Sequence, residues 1–241
     1  MKRAIVIGAS SGLGKEVAKL LLAEGWRLGI AARRIERLNE VKALAPAMVE
    51  VQAIDVTSDN APQALEKLIE KTGGMDLFFY ASGVGNQNME LEPEIEINTV
   101  NTNGMGFTRM IGAAYRHMAQ NGRGHIVAIS SIAGTKGLGA APSYSATKAM
   151  QNTYIQALEQ QARMRGLNIC FTDLRPGFVA TPLLGDNPQY PMLLKPEKVA
   201  REMVKAIKSR KHVWVIDWRW RIATAMWRRI PRFMWRHLKI K

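Results

Sequence analysis

The sequence holds a single cysteine, Cys170, so no disulfide framework can support the fold. No Cys/His cluster has the spacing of a zinc site, and no metal is expected. Cys170 lies in the apolar run Ile169-Cys170-Phe171, where a thiol is expected to be a buried structural group. Long hydrophobic runs are missing too. No stretch approaches the roughly 18 uncharged apolar residues that suggest a spanning helix. The first apolar run is interrupted at Gly8, too early for a secretory signal. These absences make the cytoplasm the expected compartment. Acidic residues are also scarce, with 20 Asp/Glu against 34 Lys/Arg and a net charge of +14. The excess is not spread evenly. Residues 208–241 hold eleven Lys/Arg and one acid, Asp217, so they carry +10 of the +14. Five of the six tryptophans (Trp214, Trp218, Trp220, Trp227 and Trp235) share that segment. The charge therefore belongs to the C-terminus and not to the domain as a whole.

What is present looks like an ordinary globular domain. A chain of 241 residues suits one domain with a sizeable core. Strand-like runs recur at 3–7, 28–32, 49–54, 77–80, 126–129, 169–174 and 213–216. Helical patterns separate most of them: Lys15 to Glu24, a stretch ending near Ala45, then about 60–72, 98–120, 143–165 and 196–209. This alternation predicts right-handed βαβ units. The expected fold is an α/β, single-domain Rossmann-type doubly wound parallel sheet with helices on both faces. It spans residues 1–216, and a basic, amphipathic C-terminal tail follows at 217–241.

Gly8, Gly12 and Gly14 fall between the first strand and the first helix, with Ser10, Ser11 and Leu13 among them. Glycines there let the backbone approach a pyrophosphate, which a helix N-terminus favours. Ser10 and Ser11 add hydroxyl donors and could help cap the helix. The spacing alone also fits a turn with no ligand. Its position straight after the first strand favours a nucleotide. The second strand ends in Ala32-Arg33-Arg34, with no carboxylate for a ribose hydroxyl. A guanidinium there can pair with a 2′-phosphate, which favours NADP(H) over NAD(H).

Tyr144 and Lys148 lie four residues apart at the start of a helical pattern, on one face. A phenol near pKa 10 is a poor base at neutral pH, and a nearby ammonium lowers that value. The spacing is common, so alone it equally describes a chance pair on a helix surface. Context changes this. The strand 126–129 ends in Ser130-Ser131, which puts a hydroxyl at a strand edge upstream of Tyr144.

The order of glycine turn, serine pair and Tyr/Lys pair resembles the short-chain dehydrogenase/reductase family. The resemblance extends to about residue 216. It includes Asp55-Val56 after the third strand, Asn101-Thr102-Asn103-Gly104 on the central helix and the Pro176-Gly177 step. It implies an oxidoreductase that exchanges hydride with a carbonyl or alcohol. By that resemblance Tyr144 is the acid/base, and Lys148 lowers its pKa and holds the nicotinamide ribose. Ser131 bonds the substrate oxygen, and Asn101 helps hold a proton-relaying water. Asp55 and Val56 border the adenine, while Pro176, Gly177, Val179 and Thr181 line the nicotinamide side. The family also implies a homodimer or homotetramer. One segment departs from the family's Asn-Asn-Ala-Gly: here Tyr80-Ala81-Ser82-Gly83 keeps only the glycine. Ala81, Ser82 and Gly83 are still expected beside the cofactor, with altered fine geometry.

Leu183, Leu184, Tyr190, Met192, Leu193 and Leu194 are expected to cover a small, largely apolar substrate, opposite Asn86, Gln87 and Met89. They fit packing against the body or a subunit equally well. In the tail, Ala223, Met226, Trp227, Ile230, Met234 and Leu238 repeat at three or four residues, away from Arg221, Arg228, Arg232 and Lys239, with a break expected at Pro231. Such a helix fits an anionic membrane surface or protein packing; nucleic acid ranks last, because no recognisable binding module is present. A second function remains open beside the enzyme: a nucleotide-sensing binding module that the tail recruits to a membrane or partner.

Overall fold

The computed structural model describes residues 1–185 and 190–238. Seven parallel strands form one sheet: β1 (Arg3–Ile7), β2 (Arg27–Ala32), β3 (Val49–Ala53), β4 (Leu77–Tyr80), β5 (Arg123–Ile129), β6 (Asn168–Arg175) and β7 (Val213–Val215). Their order is β3-β2-β1-β4-β5-β6-β7. Ile5 of β1 stands opposite Gly29 on one side and Phe78 on the other. Chain direction across the sheet reverses at the β1/β4 boundary, where ligands of such sheets collect beyond the C-terminal strand ends.

Alternate residues of β1 feed two cores. Ala4 and Val6 pack with α1 (Gly12–Ala23), α2 (Ile35–Lys42) and α7 (Pro196–Lys208). Ile5 and Ile7 pack with α3 (Ala61–Thr72), α5 (Phe107–Gln120) and α6 (Pro142–Met164). Both faces of the strand are therefore apolar, which explains why it reads as a continuous run rather than an alternating one. The expected helix over 98–120 starts earlier, as α4 (Pro93–Val100). It passes through a π-helical segment, Asn101–Gly106, before α5.

The C-terminal segment is docked rather than trailing. Asp217 accepts a hydrogen bond from the Arg219 amide at 3.0 Å and caps α8 (Trp218–Arg229). Trp220, at 2% exposure, belongs to the same core cluster as β1, so the line drawn after residue 216 does not separate two packed bodies. Pro231 ends the first tail helix as expected, and a short α9 (Arg232–Trp235) follows. The expected apolar stripe divides. Ala223 and Trp227 pack inward, whereas Met226, Met234 and Leu238 face solvent. Lys239 lies outside the described residues.

His125 of β5 gives a stability prediction. Its Nε2 lies 2.8 Å from Thr172 Oγ1. Burial, reinforced by Arg210, pushes its pKa from 6.5 down to about 4. The unfolded imidazole takes up a proton first, so the native state keeps its full margin above pH 6.5 and loses it as pH falls toward 4. Urea unfolding at stepped pH should therefore show a steeper loss for the parent than for His125→Gln across that window.

Candidate active site

The first wall of the site is the turn after β1. Gly8 has φ +88°, and a Cβ there would lie 2.7 Å from the Ser82 nitrogen. Only glycine permits both that backbone angle and this approach. Ala81 continues the β4 ladder, its amide donating to the Ile7 carbonyl at 2.8 Å. Ser11 occupies the N-cap position of α1 but makes no capping bond, contrary to expectation, and no acid stands in the first turn. The helix thus presents open amides, the arrangement that favours a phosphate.

These groups face a cavity of about 730 Å³. Its lining includes Gly8, Ser10, Ser11, Gly12, Leu13, Gly14, Arg33, Arg34, Asp55, Val56, Ala81, Ser82, Gly83, Ser131, Tyr144, Lys148, Pro176, Gly177, Val179 and Thr181. Every cofactor-binding and catalytic residue expected from the sequence except Asn101 is there. Arg33 and Arg34, at the end of β2, line the cavity together with Asp55. Burial raises the Asp55 pKa, but hydrogen bonds from the Thr57 amide (2.9 Å) and hydroxyl (2.7 Å), with the Arg33 charge, outweigh it and hold the carboxyl below its usual range. One oxygen of the carboxylate, Oδ1, is thereby occupied locally.

At the other end stand the hydroxyls. Tyr144 and Lys148 sit on the first two turns of α6, and Ser131 follows β5. The Ser131 hydroxyl accepts from the Ala133 amide at 3.0 Å, and Ser131 and Tyr144 line the same cavity. The Lys148 ammonium lies 5.7 Å from the Tyr144 ring centre and donates to the Ile129 carbonyl (3.1 Å) and Gln151 Oε1 (3.0 Å). Burial pushes the Lys148 pKa down to about 8, with Asp173 pulling the other way. The expected lowering of the Tyr144 pKa is not what this geometry gives. Burial raises it, and Ser131 offsets part of the rise. At neutral pH Tyr144 is therefore a protonated phenol.

Ser130, a bystander by sequence, bonds the buried Asp173, which also pairs with Arg175 at 2.6 Å. This places a fixed carboxylate behind Lys148.

Asn101 is a correction. It is exposed, because the π-helical segment turns Thr102, Asn103 and Gly104 inward instead. Asn103 is fully buried. Its Nδ2 donates to the Val84 carbonyl (2.7 Å) and its Oδ1 accepts from the Val84 amide (2.9 Å). Its own carbonyl accepts from Gln151 Nε2 at 2.8 Å, which completes a chain from Lys148 through Gln151. Gly106 was the available signal: a Cβ there would lie 2.8 Å from Val56, so this turn must press on the β3 exit.

Other site residues gave no sequence signal. Gly85 is one, since a Cβ there would meet the Tyr144 ring at 2.8 Å. Trp220 and Trp227 also line the cavity, and Trp220 lies against the Gly177 backbone. Of the expected substrate cover, Leu183, Leu184, Tyr190, Asn86 and Gln87 line the cavity. Leu194 is core instead, and Leu193 and Met89 are exposed. Met192 packs against the core. Residues 186–189 lie outside the described set.

A family model described as short chain dehydrogenase matches residues 2–190. The chain belongs to the short-chain dehydrogenase/reductase family. An uncharacterized oxidoreductase of Myxococcus xanthus is 32% identical over 238 residues, covering 95% of this chain and 93% of that one. Among solved structures, 3-ketoacyl-(acyl-carrier-protein) reductase of Brucella melitensis, complexed with NADH, matches with a TM-score of 0.79 and 25% identity. The match covers 90% of this chain and 96% of that one. Actinorhodin polyketide ketoreductase with NADPH matches at 0.77 and 27%, covering 89% and 95%. As a short-chain dehydrogenase/reductase, the chain is an oxidoreductase acting on CH–OH or C=O groups with a nicotinamide cofactor. The open α1 amides and the glycine cradle fit such a group. Among the described residues, no helix is long and apolar enough to cross a membrane, and no cluster could hold a metal.

Proposed function

We propose that this dehydrogenase is an NADP(H)-dependent carbonyl reductase or alcohol dehydrogenase, with Tyr144 as its acid/base. The observation that carries this reading is Ser131, Tyr144 and Lys148 together on the wall of a cavity that Arg33 and Arg34 also line. The bound nicotinamide supplies or accepts the hydride. Ser131 and Tyr144 hold the substrate oxygen between them. In reduction the Tyr144 proton passes to that oxygen as the carbonyl carbon is reduced, and burial keeps the phenol charged with its proton beforehand. Lys148, linked through Gln151 to the Asn103 carbonyl, stands where a replacement proton can be relayed. Oxidation of an alcohol runs the same transfers backwards.

The cofactor choice rests on charge. Arg33 and Arg34 line the cavity with guanidinium groups that can pair with a 2′-phosphate, and Oδ1 of Asp55 is engaged by Thr57. Fluorescence titration should show NADPH binding more tightly than NADH. Arg33→Gln should weaken NADPH by about tenfold, the worth of one charge-assisted contact, and leave NADH nearly unchanged. Tighter NADH binding in the parent would reverse the preference; binding of neither would sink the enzyme reading.

We infer that a homodimer or homotetramer would form through an apolar face. Ile97, Val100, Met105 and Met150 are exposed apolar side chains on α4, the π-helical segment and α6. An apolar set of this kind suits burial against a second copy.

A further inference from the structure

Helix α8 has two faces with different uses. Inward, Trp220 and Trp227 wall the cavity beside Phe178. Outward, Trp218, Ile222 and Met226 repeat every four residues and are 64, 54 and 62% exposed. Beyond Pro231, Phe233 and Met234 are also exposed. So many large apolar side chains on one short segment mark a surface that something covers. Arginines accompany them throughout. Arg219 pairs with Asp217, and no described acid lies within ion-pair distance of Arg221, Arg228, Arg229, Arg232 or Arg236.

Charge decides the occupant. A second copy seated symmetrically here would set arginine against arginine. A nucleic acid would satisfy the arginines but leave Ile222, Met226 and Phe233 in water. An anionic bilayer satisfies both sets at once, taking apolar side chains into its interface and guanidinium groups among its headgroups.

We propose that α8 and α9 lie on an anionic bilayer surface, and that the enzyme draws an apolar carbonyl or alcohol from the lipid into the cavity walled by the other face of α8. The docking half stands on the surface alone; the substrate half rests on the oxidoreductase reading. Trp220 and Trp227 give the cavity an apolar wall on the helix that touches lipid, and Leu183 and Leu184 extend it.

The test uses the full chain and sedimentation with vesicles of phosphatidylcholine alone or mixed equally with phosphatidylglycerol. The parent should pellet with the mixed vesicles and be released by salt. Trp218→Ser/Ile222→Ser/Met226→Ser should lower partitioning by about a hundredfold, and Arg221→Gln/Arg228→Gln by about tenfold. These positions are exposed, so circular dichroism should be unchanged. Equal pelleting of parent and variants, or none by the parent, overturns the docking. A parent dimer that the apolar variant splits, without vesicle binding, assigns the surface to a second copy and also overturns it. For the substrate half, NADPH oxidation is followed with a long-chain aldehyde embedded in mixed vesicles and with a short water-soluble aldehyde. The apolar variant should lose about tenfold on the embedded aldehyde and nothing on the soluble one. Equal rates on the embedded aldehyde overturn the delivery, whereas a parent inactive on every aldehyde but bound to vesicles overturns the enzyme reading and leaves the docking standing.

Discussion

Tyr144→Phe lowers kcat by about 10²–10⁴-fold and leaves NADPH affinity nearly unchanged, as expected for loss of a positioned proton donor. The substitution removes one oxygen from a side chain whose ring already packs against Gly85, so the wall keeps its shape. Ser131 keeps the bond from Ala133, which holds its rotamer. Stopped-flow reduction of a reactive aldehyde, with cofactor affinity measured separately, checks the split. Retained turnover would remove Tyr144 from the acid/base role. A fall in cofactor affinity as large as the fall in kcat would assign it to binding instead.

Trp220→Ala should destabilise the protein by roughly 3–5 kcal/mol, the range for emptying a large aromatic site. The indole is buried against Gly177, with Phe178 at 5.6 Å and Trp227 at 6.1 Å between ring centres. Its N–H has no hydrogen-bond partner, so the loss is one of packing alone. The cavity wall goes with it, and substrate KM should rise alongside the fall in Tm. Calorimetry on the full chain measures the first effect. A loss below about 1 kcal/mol would mean that α8 is an appendage and contributes little to the core.

The sheet was legible because strands such as β1, β2 and β4 are covered on both faces and read as continuous apolar runs. The cofactor end was legible for a similar reason: glycines and arginines at strand ends have few other uses. Asn103 was not, because a steady helical period cannot reveal a π-helical segment, and the wider turn brought a different asparagine inward. The state of Tyr144 was misjudged for a physical reason. Sequence spacing shows the ammonium but not the desolvation, and here desolvation is the larger influence. The tail's period suggested one amphipathic face. It could not show that Trp220 and Trp227 would be drawn into the body while Trp218 and Met226 stayed outside.

The strand order also bears on how the protein is made. β1 is an interior strand of the finished sheet, flanked by β2 and β4. A chain emerging from the ribosome pairs β1 with β2 early but has no neighbour for the other side until residues 77–80 appear. Through that interval Ala4-Ile5-Val6-Ile7 is an open, uncharged apolar edge, the kind of template on which nascent chains aggregate. Soluble yield should then depend on how quickly translation passes from β2 to β4, and a pause introduced between them should cost soluble protein without altering a single side chain.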